Sequence, residues 1–524
     1  TRVRSSAASD VYKRQTILFA SVDLTAAANN NHKLTLDDLA QAVGVDSIVT
    51  ASHLNWNTDI KPWLGRYIAI AAFPDGTARG TPSVTSPTAF GEALIIQSRD
   101  TSAAQAAVSK AAHAQHGASV SSSSYHGYTL YQMGPASDTA RPALAVGNGW
   151  VIAASSTAAA QAVIDRATGA SSDALSGSPS FQDAVSNLPS NRFGTLYVNI
   201  RAYVDALIAA APGATQAALN VPFADTYPVA GGDLVWTDTG LRAQLTLNAV
   251  KSASIPNLAG DTSGLASFVP TGALSYVSVA NMGALVRAAY SQVPAAASAT
   301  AGDPLQKTYG VSSSDPALQQ PAAMATFALP GATASQPGTA SVTLLRAPDT
   351  TATQTLFKKI ATKSNWTLKA TTVDGIAATE AYATGYTYTP PVTPPTKGTS
   401  KPGIAKQPTP KPQQYLAGVA ATVNGVFVFA SSTAALDAVI QVTRGTASLG
   451  QSADFQQLIG QAPGNSALVE YTNLAASRAL AQQHAPKGAR TPTATALMNR
   501  VKAMLLTFTW SAQQNQTTVD IKIV

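Results

Sequence analysis

The chain has 524 residues, of which 45% are hydrophobic, 12% are charged and none is cysteine. This length favours two to four domains, and the composition excludes wholesale disorder, a disulfide framework, a thiolate metal site and a cysteine nucleophile. The net charge of +7 lies in two segments, because residues 1–15 hold four basic residues and one acid, and residues 387–414 hold four lysines and no acid. The charges of the remaining body balance, so we expect no nucleic-acid partner.

The first fifteen residues, TRVRSSAASDVYKRQ, show no apolar periodicity and resemble translated adapter sequence at the end of an environmental gene fragment. We therefore interpret 1–15 as a non-native segment and leave it out of the fold prediction. In this interpretation the native N-terminus is missing, together with any signal peptide or membrane anchor. No later apolar run approaches the roughly 18 residues that a membrane-spanning helix needs.

From residue 16 onward the sequence alternates strand-like and helix-like segments. The runs ILFASVDL, RYIAIAAF and EALIIQSR predict three strands, and Asp100 is placed to cap the Ala-rich helix that follows. A hairpin is predicted around His126-Gly127, and the stretch NGWVIAASSTAAAQAVI from Asn148 predicts a turn, a strand and a helix that ends at Gly169. A short helix near Phe181, the strand FGTLYVNI, a helix from about Arg201 and two strands around Trp236 complete the series.

The same series of signals then returns in the same order. NGVFVFASSTAALDAVI from Asn424 repeats the stretch at Asn148, and further matched positions are Asp100 with Asp349, Phe181 with Phe455, Tyr197 with Tyr471 and Trp236 with Trp510. The mixture of strands and helices lacks the steady alternation of a parallel βαβ sheet. We therefore predict an α+β fold of two similar, mainly antiparallel sheet-plus-helix halves from an internal duplication, with copy 1 at 16–250 and copy 2 at 251–524.

One segment of copy 2 has no counterpart in copy 1. The offset between matched positions grows from 249 at Asp100 to 276 at Asn148, and residues 387–414 lie in that interval. This segment contains eight prolines and four lysines. Since proline disfavours helices and central strands, we predict a solvated loop insertion between two strands.

The two Ser-Ser-Thr junctions raise the question of a serine nucleophile. A strand-to-helix serine can be catalytic, but the G-x-S-x-G pattern of a nucleophile elbow is absent from the sequence. A serine before an Ala-rich helix is sufficiently explained as an N-cap, because it satisfies backbone N–H groups that have no partner in the helix. We therefore predict caps and assign no catalytic residue.

No motif for a metal or a cofactor emerges either. His113 and His116 would share a helix face, but copy 2 has Thr362 and Asn365 at the equivalent places and no third ligand stands at a recognised spacing. Phosphate-binding G-x-x-x-x-G-K-[ST] and G-x-G-x-x-G patterns are absent from the sequence. We predict neither a metal site nor a cofactor.

Trp63 is the one candidate partner-binding residue. It belongs to the turn PWLG of residues 62–65, which copy 2 lacks. An exposed tryptophan there would be a binding anchor, whereas a buried one would fasten the loop to the core, which is the more usual arrangement. Both interpretations stay open from the sequence.

The PWLG turn, the D-T-x-x-x-Q helix starts, the N-G…ASST blocks and the Phe181 to Tyr197 block together resemble the bacterial family called domain of unknown function 3352. The resemblance covers almost the whole chain after Thr16. It implies an exported, often internally duplicated α+β body behind an N-terminal membrane segment, and therefore an extracellular or cell-surface location. It supplies no catalytic residues.

Three hypotheses for function follow. The first is a non-catalytic cell-envelope protein that binds or scaffolds a partner in the envelope. The second is a carrier of a lipid or another apolar ligand, held in a pocket between the sheet and its helices. The third, which the sequence favours least, is a hydrolase that brings a Ser, a His and an acid together in a cleft.

Overall fold

The computed structural model shows a chain of mixed helix and strand in which all strand pairs of the described residues are antiparallel. The adapter-like segment 1–15, His32 and His116 lie outside the described residues. The structure describes residues 16–29, 35, 37, 53–73, 90–114, 120–135, 141–170, 174–210, 221–250, 258, 262, 264–291, 303–329, 338–387, 411–484, 499–510 and 514–523.

Ten strands belong to residues 16–250, which we call the first half. They are β1 (Leu18–Asp23), β2 (Leu64–Phe73), β3 (Gly91–Ser98), β4 (Val120–Tyr125), β5 (Tyr128–Met133), β6 (Ala143–Gly147), β7 (Trp150–Ala154), β8 (Gly194–Asn199), β9 (Val229–Thr237) and β10 (Gly240–Asn248). Their pairing places them side by side in the order β4-β5-β6-β7-β3-β2-β1-β8-β9-β10.

The second half, residues 251–524, has ten strands that pair in the corresponding order. They are β11 (Ala273–Val279), β12 (Ala322–Ala328), β13 (Thr339–Arg346), β14 (Thr367–Val373), β15 (Ile376–Thr387), β16 (Lys411–Val423), β17 (Val426–Ala430), β18 (Ser466–Thr472), β19 (Val501–Trp510) and β20 (Gln514–Ile523). Their order across the sheet is β14-β15-β16-β17-β13-β12-β11-β18-β19-β20.

The last strands of the two halves join them into one sheet of 20 strands. β10 pairs with β20 along its whole length, from Gly240 opposite Lys522 to Asn248 opposite Gln514. The described edges of the sheet are therefore β4 and β14, at opposite ends. The sequence repeat predicted two similar units, but it gave no sign that a single sheet runs through both.

Helices cover both faces of the sheet. They are α1 (Leu24–Ala28), α2 (Thr101–His113), α3 (Thr157–Ala167), α4 (Pro179–Val185), α5 (Ile200–Ala210), α6 (Val221–Thr226), α7 (Met282–Ser291), α8 (Pro304–Tyr309), α9 (Thr350–Lys363), α10 (Thr433–Thr443), α11 (Ala453–Ile459) and α12 (Leu474–His484). We call the face that carries Phe19 and Ile95 the inner face, where α3 and α4 pack in the first half. α10 and α11 cover the inner face of the second half. α2 packs on the opposite, outer face.

Capping residues start the helices where the sequence predicts. The carboxylates of Asp100 and Asp349 each accept two backbone N–H groups of α2 and α9. Ser156 and Ser432 cap α3 and α10 by accepting the N–H groups of Ala159 and Ala435, at 3.0 Å and 3.1 Å. The predicted N-caps are therefore present in both halves, because each cap depends only on residues within one turn of the helix.

The predicted hairpin turns also form in both halves. Each turn consists of two residues with positive φ: Asn148-Gly149 and Asn424-Gly425, and likewise His126-Gly127 and Asp374-Gly375. Two consecutive residues with positive φ give a type I′ turn, whose twist matches that of the flanking strands. Asn, Asp and Gly adopt this backbone most easily, which is why the sequence marked the turns.

The predicted boundaries of the Pro- and Lys-rich insertion were too wide. Thr387 belongs to β15, and residues 411–414 belong to β16, where Pro412 pairs with Tyr386. A proline was expected to exclude this position from a strand. Pro412 is tolerated because it stands next to the end of the hairpin, where few ladder hydrogen bonds remain to be lost. Residues 388–410 lie outside the described residues.

Candidate functional site: an apolar cleft in the first half

The outer face of the first half contains an open cleft of about 370 Å³. Its floor consists of β1, β2, β3 and β8, and α5 forms one wall. Eight of the nine described lining residues are apolar or aromatic, and the ninth is a glutamate. The lining residues are Ile17, Leu18, Ile70, Ala71, Ala72, Phe90, Glu92, Val198 and Tyr203.

Strand alternation explains the apolar floor. In β2 the side chains of Ala69, Ala71 and Phe73 point into the inner core, where each is at most 2% exposed. The side chains between them, including Ile70, must therefore point to the outer face. Ile70 is 45% exposed, which is unusual for a residue in the middle of a sheet.

The wall of the cleft is aromatic. Phe90, immediately before β3, packs its ring against Tyr203 of α5 with 5.8 Å between the ring centroids. α5 begins directly after β8, and the side-chain oxygen of Asn199 accepts the N–H of Ala202 at 2.9 Å. This cap fixes the first turn of α5 over the end of β8. Tyr203 is thereby held above the strand that contributes Val198 to the floor.

Glu92 provides the charge at the cleft. Its backbone is fixed from both sides by Ser155, because the N–H of Glu92 donates to the Ser155 hydroxyl and the N–H of Ser155 donates to the carbonyl of Glu92, both at 2.9 Å. In the sheet Glu92 pairs with Ala72, which pairs with Leu18. The exposed carboxylate therefore stands at one end of a row of apolar floor residues.

The corresponding surface of the second half is polar. The pairing register defines the matched positions: Leu18 pairs with Ala72 and Val198, and Ser275 pairs with Thr326 and Thr472. Six of the seven compared cleft residues have Ser or Thr at the matched position of the second half. The matched residues are Ser275 for Leu18, Met324 for Ile70, Thr326 for Ala72, Thr339 for Phe90, Ser341 for Glu92, Thr472 for Val198 and Ser477 for Tyr203.

A second unusual group lies on the inner face, where the halves meet. Asp233 is 3% exposed and Asp520 is fully buried. Asp520 accepts a hydrogen bond from Nε of Arg242 at 2.7 Å, across the β10–β20 pair. Both carboxylate oxygens of Asp233 have no hydrogen-bond partner among the described residues. Arg192, on the loop before β8, provides a second positive charge near Asp233.

Burial governs the ionisation of this group. It raises the pKa of Asp233 to about 6, although the charges of Arg192 and Arg242 oppose the shift. Burial also raises the pKa of Asp520, against its hydrogen bond with Arg242. Asp233 and Asp520 lie under α4 and α11 rather than in an open cleft, so we regard them as a feature of the junction between the halves.

Trp63 lies in the core and not on the surface. It is 2% exposed, packs with residues of α2 on the outer face, and donates its indole N–H to the carbonyl oxygen of Asp59. This placement leaves almost no indole surface for a partner. Of the two interpretations open from the sequence, the structure therefore supports a tryptophan that fastens its loop to the core.

Two of the described histidines have contacts with groups other than serine hydroxyls. Nδ1 of His113 lies 2.7 Å from the carbonyl oxygen of Ser109. Nε2 of His126, in the exposed turn between β4 and β5, lies 3.7 Å from Asp165 of α3. The serines of the two Ser-Ser-Thr junctions act on backbone groups: Ser156 caps α3, and Ser155 holds β3. Among the described residues, no group of three or more His, Asp or Glu side chains is arranged to hold a metal ion.

The cleft could not be predicted directly from the sequence. RYIAIAAF is apolar throughout, so its two faces cannot be told apart without knowing what covers each one. The available signal was comparative: the first half has Leu18, Phe90 and Tyr203 where the second has Ser, Thr and Ser.

The fold and the site define a mixed helix-and-strand protein with one large antiparallel sheet and an apolar cleft in its first half. Within the described ranges, no helix is both long enough and apolar enough to cross a membrane. The sequence profile of the family described as protein of unknown function (DUF3352) matches residues 26–522. The chain belongs to this family.

Other comparisons add little. No curated protein matches the chain. Among solved structures, crystal form I of TP0453 matches with 11% identity and a TM-score of 0.29, covering 49% of this chain and 83% of that one. Crystal form III of TP0453 matches with 10% identity and a TM-score of 0.28, covering 46% and 78%. Similarity at this level carries no argument about architecture or function.

Proposed function

We propose that this protein is a non-catalytic binding protein of the cell envelope that holds a lipid or another apolar ligand in the cleft of its first half. The observation that carries the proposal is the difference between the halves. Leu18, Phe90, Val198 and Tyr203 line the cleft, whereas the same backbone positions in the second half carry hydroxyl side chains. A structural requirement of the shared fold would apply to both halves, so it does not explain the apolar set.

The dimensions of the cleft agree with this proposal. Small-molecule sites commonly occupy about 300–1,000 Å³ and are lined mainly by apolar and aromatic side chains. A cleft of about 370 Å³ with an aromatic wall fits the lower part of that range. Its open mouth suits a ligand whose polar end remains in water.

A matched pair of variants tests the proposal. Ile70→Asn places a polar side chain on the cleft floor, and Met324→Asn makes a similar change at the matched position of the second half. Both residues are substantially exposed, at 45% and 57%, so neither variant should unfold the protein. Binding is measured by titrating the full chain with the neutral fluorophore N-phenyl-1-naphthylamine, and by native mass spectrometry for co-purifying lipid.

We expect one saturable site per chain, which dodecanol displaces. Ile70→Asn should weaken binding about five- to tenfold, because the ligand can bury roughly half of an isoleucine side chain there. Met324→Asn should bind as the wild type does. Equal effects of the two variants, or the absence of saturable binding, would contradict the proposal.

The proposed location rests on the family resemblance. We propose that the full-length protein has an N-terminal membrane segment and exposes this body on the outer side of the membrane. Recovery of the upstream gene sequence, followed by fractionation of cells that express it, tests this location. Recovery of the full protein in the cytosolic fraction would contradict it.

We further propose that the two halves arose by internal duplication, with boundaries near residue 250. The matched sequence blocks and the corresponding order of strands support this origin. Scaffolding of another envelope protein is the second candidate function, and β4 and β14 are the strand edges that such a partner could extend. Cross-linking in the native host would identify a scaffolded protein.

A further inference from the structure

We propose that the cleft selects its ligand by the charge of the head group, and that it prefers an amphiphile with an ammonium head over one with a carboxylate. This inference rests on the proposed function and specifies the ligand class of the same cleft. It is derived from the position of Glu92 and from the pairing of the nearby cations.

Glu92 is the single charged residue among the described residues that line the cleft. Its strand position places it beside Ala72 and in line with Leu18 and Val198 on the floor. An apolar chain that lies along this row brings its polar end close to the Glu92 carboxylate. Because Ser155 fixes the backbone of Glu92 through two hydrogen bonds, the Glu92 side chain extends from a fixed position at this end of the floor.

The one basic residue of the wall helix α5, Arg201, is already paired. Arg201 lies two residues before Tyr203 on α5, and its guanidinium binds Asp205 at 2.8 Å and also Asp225. Asp205 and Asp225 hold the Arg201 guanidinium on the α6 side of the helix. The backbone N–H of Arg201 donates to the carbonyl of Pro228. The described residues at the cleft therefore present a negative charge to a ligand head group.

The second half supports a specific role for this carboxylate. The residue that corresponds to Glu92 is Ser341, and its N–H donates to the Ser431 hydroxyl at 3.0 Å, as the N–H of Glu92 donates to Ser155. The fold thus accepts a neutral side chain at this place without losing the backbone contact. A carboxylate is found on the half that also has the apolar floor.

The expected preference is modest because Glu92 is exposed. An exposed ion pair typically changes binding by a factor of about two to five, and a like charge opposes binding to a similar degree. The two effects together should give about a tenfold preference for ammonium over carboxylate at low ionic strength. The preference should shrink as salt is added, since salt screens exposed charges.

Three ligands of equal chain length test the inference: dodecyltrimethylammonium and dodecanoate, each below its critical micelle concentration, and dodecanol, below its solubility limit. Each is used to displace N-phenyl-1-naphthylamine from the full chain of the wild type, of Glu92→Gln and of Asp183→Asn. Asp183 is an exposed acid on α4, which covers the inner face, so Asp183→Asn makes the same charge change on the other side of the sheet. Equal affinity of all three proteins for the neutral probe shows that the cleft is intact in each.

We expect dodecyltrimethylammonium to displace the probe at about a tenth of the dodecanoate concentration from the wild type and from Asp183→Asn. Glu92→Gln should bring these two ligands to within about twofold of each other and leave dodecanol unchanged. If all three ligands displace the probe equally from the wild type, or if Glu92→Gln keeps the preference, the inference is overturned while the binding function stands. If no ligand displaces the probe, the proposed function itself fails.

Discussion

The outer faces of the two halves have the same strand pairing but different side chains. Ile70 and Met324 occupy the same place in the pairing register, and both are exposed. Around Ile70 the neighbouring positions are Leu18, Phe90 and Tyr203, whereas around Met324 they are Ser275, Thr339 and Ser477. The backbone therefore permits either an apolar or a polar surface here, and the choice of side chains carries information about function.

A second difference lies at the junction of β10 with β20. Four buried or partly buried ionisable residues of this junction correspond to four neutral polar residues. The matched residues are Ser466 for Arg192, Thr507 for Asp233, Gln516 for Arg242 and Thr246 for Asp520. Since one sheet accommodates both sets, the charged set can be replaced by the neutral one in experiments that ask what each charge contributes.

The largest effect is expected from Arg242→Gln, which introduces the residue that the second half has at Gln516. Asp520 is fully buried and would lose the guanidinium that now donates to it. An uncompensated buried carboxylate should lower the free energy of unfolding by about 3 kcal/mol, as measured by urea denaturation. The double variant Arg242→Gln/Asp520→Thr should recover most of this loss. A single variant as stable as the wild type would show that the pair contributes nothing to the junction.

The next effect is a pH dependence that belongs to Asp233. Because burial raises its pKa to about 6 from the model-compound value of 3.8, the folded protein binds this proton more tightly than the unfolded chain. This contribution to stability is complete below about pH 3.8 and is lost as the pH rises to about 6. It amounts to something on the order of 2–3 kcal/mol.

The free energy of unfolding of Asp233→Asn should therefore not show the decrease with rising pH that titration of Asp233 causes in the wild type. Urea denaturation at intervals from pH 4 to pH 7 measures the slope for the variant and for the wild type, whatever the offset between them. Asp183→Asn, an exposed change on α4, is the control and should keep the wild-type slope. If Asp233→Asn also keeps it, Asp233 does not titrate in this range.

A smaller effect is expected where α4 packs closely on β9. A Cβ at Gly231 would stand 1.9 Å from the carbonyl oxygen of Ala184, whereas the matched residue of the second half is Leu505. Gly231→Ala should therefore push α4 away and cost about 2 kcal/mol of stability. Gly272→Ala is the control, since a Cβ at Gly272 meets nothing within 4 Å. Equal stability of the two variants would mean that α4 can shift without cost.

The smallest effect concerns a feature that the halves share. Ser156→Ala and Ser432→Ala each remove a hydroxyl that caps a helix, α3 in the first half and α10 in the second. Each should cost about 1 kcal/mol, measured from the midpoint of thermal unfolding. Because the two caps have the same geometry, a clear difference between the two costs would show that the halves are not equivalent even here.

Most of the local structure could be predicted from the sequence. The pattern correctly placed the strand from Leu18, the caps at Asp100 and Asp349 and the turns at Asn148 and Asn424. Each depends on hydrogen bonds or side-chain alternation within a few residues, so a short stretch contains the whole cause. The predicted insertion boundaries at 387 and 414 were too wide because the strands of a long hairpin can extend into a Pro-rich segment.

The candidate site depended on long-range contacts. Trp63 could be placed in the core only once α2 was seen to pack over it. The cleft exists because β1 lies between β2 and β8, which brings Leu18, Ile70 and Val198 together from positions up to 180 residues apart.

The sequence by itself therefore determined the elements, their caps and turns, and the likeness of the two halves, because these depend on local hydrogen bonding and periodicity. Only the tertiary structure decided three further features: that β10 and β20 join the halves in one sheet, that Asp233 and Asp520 are buried there, and that the outer face at Ile70 stays open. The physical reason is that burial is a property of which elements become neighbours, and distant strands and helices supply those neighbours.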